Sequence, residues 1–344
     1  MTIPLTRPLW SQIFAGANIV IWLVTMAFTA ARLGVAAASS ASVPSEVLVT
    51  FGAKVNPLIA QGQFWRLVTA NFLHVSLLHL AFNTYALWHL GPEVEALFGR
   101  SRFVALYLLT GVFGATASYG LGRYLSAGAS GAIFGLVGAL IAYFIRHRAL
   151  FGARGRAYLS NMLVIVVINL VIGVTAPGID NWGHLGGLIS GFLMAFPLVP
   201  KYDFERPTWK GDHWELEAQR SPRRLVIVVI LALLVLGLLV GGFTAMQRHS
   251  LVSYLFQAQQ ALDENDLPRA EKLLEEAAER YPQNADVQLT LALVYDAQGK
   301  TDAAIDALRR YVNLAPPGDE RADRARTWLM ELDSAERAPG SAAD

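Results

Sequence analysis

Cysteine is absent from the 344 residues. Disulfides and thiolate-bound metals are therefore excluded, and cysteine usage says nothing about redox compartment. Charge is scarce as well. Asp, Glu, Lys and Arg make up 16% of the chain against 54% hydrophobic residues, a balance that excludes a wholly soluble globular protein. It fits a membrane protein with a smaller soluble part. The few charges divide unevenly. Residues 1–249 hold 18 Lys/Arg and 9 Asp/Glu, a balance of +9, whereas residues 250–344 hold 10 and 18, a balance of −8. Two regions with different surroundings are expected. Basic residues lie between apolar runs rather than in one patch, so nucleic acid is not an expected partner.

Seven apolar runs stand out, at about 13–35, 73–91, 103–122, 129–145, 158–175, 183–199 and 224–245. A bilayer core of ~30 Å takes about 20 helical residues to cross, and its backbone must satisfy itself internally, so helices are predicted. The first run, with Arg7 before it and "VAAASSAS" after it, also fits a cleaved signal peptide, although it is long for one. Placing the amino terminus inside the cell gives the inner side most of the basic residues, among them Arg100, Arg102, Arg146, Arg148, Arg220 and Arg224. The outer side then receives Arg32, Lys54, Arg66, Arg123 and Arg248, as the positive-inside rule prefers. An odd number of crossings leaves the carboxyl-terminal region outside. That region repeats with period 34: Ala270 matches Ala304, Leu274 matches Leu308 and Pro282 matches Pro316, with Gly299 in a turn. It resembles a tetratricopeptide pair, with residues 319–334 as a capping helix. A generic helical hairpin is the plainer alternative. Two repeats are few for a free-standing solenoid, so this region is expected to lean either on a protein partner or on the chain's own membrane domain.

The predicted fold class is accordingly all-α. A polytopic membrane bundle of six spans occupies residues 1–200, a basic cytoplasmic linker 201–223 and a seventh span 224–245. An extracytoplasmic helical domain follows over 250–335, and 336–344 form a disordered tail.

Polar groups inside membrane segments are costly and are functional candidates by default. Run four, from Ser130 to the arginines at 146 and 148, is only about 24 Å long as a helix. Its outer end should lie below the membrane surface, facing a wet hollow. Run six repeats the arrangement, with His184 at its start; His79 and Asn83 fall one helical turn apart on run two. A hydroxyl, two imidazoles and a carboxamide thus share one depth. Gly131 and Gly135 follow Ser130, and Gly187 and Gly191 follow His184. Small residues at this spacing let membrane helices approach closely, although alone they usually signal packing only. A serine beside an imidazole is an activated nucleophile. Backbone N–H groups at the start of run four, with His79 and Asn83, can stabilise an oxyanion. Asp180 lies outside the helix and is at most a remote candidate to orient His184, so a Ser–His dyad is expected.

"GASGAIFG" (Gly128 to Gly135), "HLGGLISG" (His184 to Gly191) and "FLHVSLLHLAFN" (Phe72 to Asn83) resemble the signatures of the rhomboid intramembrane serine proteases. "FWR" (Phe64 to Arg66) and "GPEVEALFG" (Gly91 to Gly99) are similar to further elements of that family, in its order. The resemblance spans about residues 60–200. It implies a six-helix core and cleavage of single-span membrane proteins near the outer face, without metal or cofactor. It also implies Ser130 as nucleophile and His184 as base. His79, Asn83 and the Ser130 N–H would form the oxyanion hole, with Gly128 keeping that loop close. Phe134 stands where relatives carry an aromatic, often Tyr, that packs on the base. Trp65 and Arg66 are better suited to anchoring the first loop, as an interfacial ring and a snorkelling cation, than to catalysis. A bacterial cell membrane is the expected location. The alternatives are a silent rhomboid-like binding protein, a proton-relay transporter, for which neither inverted repeats nor intramembrane carboxylates are seen, and a His74–His79–His89 metal site.

Overall fold

The computed structural model describes residues 5–175, 178–209, 211 and 214–337. Each apolar run forms a helix: α1 Trp10–Leu33, α2 Leu77–Phe98, α3 Arg100–Leu121, α4 Ser130–Arg146, α5 Arg148–Thr175, α6 Asn181–Leu198 and α7 Pro222–Arg248. By length and hydropathy α1, α3, α5 and α7 are each apolar enough to cross a membrane, and α4 is a shorter apolar helix. Helix α2 falls outside that group because it carries His79, Asn83, His89, Glu93 and Glu95. The protein is an integral, multi-pass membrane protein.

Helix α4 is apolar on every side, and a helix of that kind is stable only when enclosed. Thirteen of its 17 residues are buried, and it packs against α2, α3, α5 and α6. Helix α1 enters the same core through Phe14 and Ala15. Its first turn is capped from α2 rather than by its own sequence. Glu95, wholly buried, accepts from the N–H groups of Leu9, Trp10 and Ser11 at 2.9, 3.0 and 3.0 Å, and from Ser11 Oγ at 3.0 Å. A carboxylate at the positive end of a helix dipole, holding four donors, compensates for its burial. The chain between α1 and α2 folds as short helical turns rather than as open loop, at Ser45–Phe51, Asn56–Ala60 and Arg66–Thr69.

The segment expected as a basic linker is a two-stranded antiparallel hairpin, β1 Lys201–Trp209 and β2 Trp214–Gln219. Its charges in fact balance over 201–223, five of each sign. Tyr202, Leu216 and Ala218 turn toward the core, and the Tyr202 hydroxyl meets that of Tyr143 in α4 at 2.8 Å. Apolar residues at every second position carry this strand signal. The helical class of the fold stands, with this hairpin added to it.

Chain contacts divide the protein into two compact units, Met1–Thr244 and Ala245–Asp344. The second comprises α8 Leu251–Asp263, α9 Leu267–Arg280, α10 Ala285–Ala297, α11 Thr301–Leu314 and α12 Glu320–Arg337. Its core holds the residues related by the repeat of 34, Ala270 with Ala304 and Leu274 with Leu308, all fully buried. Asp266 and Asn284 cap α9 and α10 by accepting from the N–H groups of Arg269 and Val287, the role short polar side chains prefer. Trp328 and Leu329 of α12 pack on this core, as a capping helix requires. The expected tail over 336–344 begins within α12 and otherwise lies outside the described residues.

Candidate active site

Ser130 is the first residue of α4, entered from the loop at 122–129. Its Oγ lies 3.0 Å from His184 Nε2. His184 is in the first turn of α6, whose start is fixed by Asp180 accepting from the Gly183 N–H at 2.9 Å. The imidazole stacks on Phe134, one turn after Ser130, with centroids 4.3 Å apart and planes 5° apart. Two helices hold the pair together because nothing separates their backbones. A Cβ at Gly187 would run into the Gly131 carbonyl, and one at Gly191 into that of Gly135. The predicted glycine seam is thus a direct backbone contact. A third helix joins it, since a Cβ at Gly114 of α3 would lie 2.7 Å from the Gly183 carbonyl.

Helix α2 brings the other polar groups. Ser76 caps it, accepting from the His79 N–H at 3.2 Å. The Asn83 amide donates to the His79 carbonyl at 3.1 Å, which holds the Asn83 side chain one turn from His79. Gly128 links them to Ser130. Its φ is +149°, and a Cβ there would lie 2.8 Å from His79 Nε2 and 3.8 Å from Asn83 Nδ2. Only a glycine backbone allows that approach without strain. The Gly128 N–H donates to the Ala70 carbonyl at 2.9 Å, tying the loop to the segment before α2.

Asp180 does not orient His184. Beside its capping bond it accepts from Ser126 Oγ at 2.5 Å, while His184 Nδ1 is buried without a partner among the described residues. Serine and histidine therefore form a pair rather than a triad. Trp65 and Arg66 brace the first loop, but not by snorkelling. Arg66 is buried and donates to the Val49 and Ala53 carbonyls at 2.7 and 3.1 Å, with its guanidinium 4.7 Å above the Trp65 ring. Both of those bonds come from Nη1, and Nε donates to Gln63 Oε1 at 2.7 Å, so the guanidinium is satisfied inside the loop. His74 and His79 meet edge to face at 5.3 Å, whereas His89 Nδ1 lies 2.9 Å from the Tyr85 carbonyl. No cluster of three metal-ligating side chains occurs among the described residues.

One element was invisible in the sequence. Lys54, fully buried, donates from Nζ to the Ser118 carbonyl at 3.2 Å, and its backbone pairs with Ser126 through bonds of 2.9 and 3.1 Å. Asn56 donates to the Tyr119 and Gly122 carbonyls. The first loop thereby shapes the one leading to Ser130. Burial pushes the Lys54 amine down to about 8, against the pull of Asp180. The partners lie more than 60 residues away, so local spacing carries no trace of them.

A Rhomboid domain profile matches residues 61–201, and a Tetratricopeptide repeat profile matches residues 261–329. The chain is 39% identical over 276 residues to Rhomboid protease GluP of Bacillus subtilis (strain 168), covering 80% of this chain and 50% of that protein. It thus spans about half the length of that relative. It is 31% identical over 225 residues to RHOMBOID-like protein 5 of Arabidopsis thaliana, covering 63% of this chain and 72% of the relative. Rhomboid-like protease 1 of Toxoplasma gondii is 36% identical over 177 residues, 48% of this chain and 57% of that protein.

Proposed function

Because the chain belongs to the rhomboid family, we propose that it is an intramembrane serine endopeptidase that cleaves single-span membrane proteins through Ser130 and His184. The observation that carries this reading is the 3.0 Å contact between Ser130 Oγ and His184 Nε2. His184 accepts the Ser130 proton as Oγ attacks the scissile carbonyl, and returns it to the leaving amine. The acyl-enzyme then yields to water activated by the same imidazole. Negative charge on the tetrahedral oxygen is met by the Ser130 N–H at the α4 terminus, by His79 and by the Asn83 amide. Gly128 lets the loop come close enough to serve it. Phe134 holds the base by stacking alone, since it has no phenol to donate.

Helix α4, with 17 residues, is about 25 Å long and ends short of a ~30 Å hydrocarbon core. Ser130 then faces a recess that admits water. A substrate helix enters sideways and unwinds near small or helix-breaking residues, because a helical amide cannot present its carbonyl for attack. We place the amino terminus in the cytoplasm and the tetratricopeptide-like region outside a bacterial cell membrane, where it recruits a protein partner. A catalytically silent binding protein has no need of the aligned pair.

Wild type, Ser130→Ala and His184→Ala, purified and reconstituted with a single-span model substrate, test the reading. Each substitution should cut cleavage by about a thousandfold or more while the helical circular dichroism is retained. A fluorophosphonate should label wild type and not Ser130→Ala. Undiminished cleavage by both variants would sink the assignment.

A further inference from the structure

Helix α7 leaves a cleft of about 440 Å³ between itself, α3 and α6. Its α7 wall is one stripe, with Val228, Ala232, Val235, Leu239 and Phe243 at steps of three or four. From Val228 to Phe243 the helix rises about 22 Å at 1.5 Å per residue, most of the thickness of a bilayer core. Helix α6 lines it from Gly186 to Pro197. The Phe243 end is closed. The Tyr119 hydroxyl donates to Thr244 Oγ1 at 3.1 Å, and Phe243 fills the space over Gly120.

Two arginines lie beyond the Val228 end, outside the lining of the cleft itself. Arg224 is exposed and stands one turn before Val228, on the same face of α7. Arg102, at the start of α3, reaches the start of α7 and donates from Nη2 to the Ser221 carbonyl at 3.4 Å. Arg102 is 5% exposed, and its Nη1 is buried with no partner among the described residues. The charges of Arg220 and Arg224 both bear on it. Neither Arg102 nor Arg224 pairs with a carboxylate among the described residues. A buried guanidinium N–H without an acceptor is costly, and the starts of two helices add positive potential to the same place.

We propose that this cleft binds one anionic phospholipid, its acyl chain along the α7 stripe and its phosphate at Arg102 and Arg224. The walls are as apolar as lipid tails, so a chain enters without loss of hydration and gains the dispersion contacts the cleft offers. Selectivity comes from the foot. Guanidinium forks bind phosphate through charge-assisted hydrogen bonds, and basic pockets between membrane helices favour anionic headgroups. A choline headgroup brings its own cation to the same place and loses that advantage. Such a lipid ties α7 to the bundle along a face where protein contact is incomplete. The assignment is independent of Ser130 and His184.

The full chain in detergent, equilibrated with phosphatidylglycerol or phosphatidylcholine of identical acyl chains, is read by native mass spectrometry. Wild type should retain one phosphatidylglycerol, with a preference over phosphatidylcholine of roughly tenfold. Arg224→Gln should bring that preference close to unity, and Arg224→Lys should keep most of it. Val235→Trp, a substitution of an exposed side chain that fills the cleft, should reduce retention of phosphatidylglycerol. Equal retention of the two lipids by wild type, or a preference unchanged in Arg224→Gln, overturns the headgroup site. Retention undiminished in Val235→Trp, with a thermal transition matching wild type, overturns the cleft.

Discussion

At the scale of single residues, Gly128 meets two demands at once. Its φ of +149° suits glycine, and a Cβ would press on the His79 ring. Gly128→Ala should therefore lower kcat on a model substrate by about a hundredfold, the scale of losing one oxyanion donor, with KM little changed. Steady-state cleavage in proteoliposomes separates the two constants. Phe134 makes a narrower prediction. The His184 ring has the stack and the Ser130 contact to hold it, and no carboxylate behind it. An aromatic pair is worth about 0.5–1.5 kcal/mol, so Phe134→Leu should slow turnover by roughly two- to tenfold and Phe134→Tyr should not. Ser130, His184, His79 and Asn83 were legible in the sequence because each is a costly group at a countable depth. The fate of Asp180 was not, since the hydroxyl that engages it belongs to Ser126, 54 positions away.

Among the elements, the α4–α6 seam brings backbone against backbone, and α3 joins it at Gly114. Gly191→Ala should destabilise the bundle by about 1–3 kcal/mol, the usual cost of overpacking. Gly237→Ala in α7, whose Cβ would meet nothing within 4 Å, is the neutral control; thermal unfolding in detergent reads both. The seam was visible in advance from spacing alone. The hairpin at 201–219 departs from the expected linker: its apolar residues recur at alternate positions, the period of a strand, and the charges over 201–223 cancel. The latch of the first loop makes a prediction in pH. Lys54 binds its proton less tightly when folded, with a value near 8 against an ordinary 10.5. Between those values the unfolded chain holds more protons than the folded one, so stability rises with pH across that window. Below about pH 8 the cost of burying the ammonium is carried in full. Unfolding measured from pH 8 to 10 should show the rise in wild type and lose it in Lys54→Met.

For the whole molecule, the division at Thr244 matters most. Each unit has its own core, one drawn from the bundle helices and one from the helical repeats. Calorimetry of the full chain should resolve two transitions, and Leu274→Ala should shift only one of them, by about 2–5 kcal/mol in that unit's stability. The change of charge sign along the sequence accords with this partition, and the period of 34 marked four of the second unit's buried positions, Ala270, Leu274, Ala304 and Leu308; the third matched pair, Pro282 and Pro316, is exposed. Glu95 has a consequence for how the first unit is made. The ribosome delivers α1 before α2, and the acceptor for the first turn of α1 arrives more than 80 residues later. Until α2 has been threaded beside it, α1 lies in lipid with its first turn uncapped from α2. Insertion of the first two helices is then coupled, and a nascent chain arrested before residue 95 should be held by the translocation machinery instead of released into the bilayer.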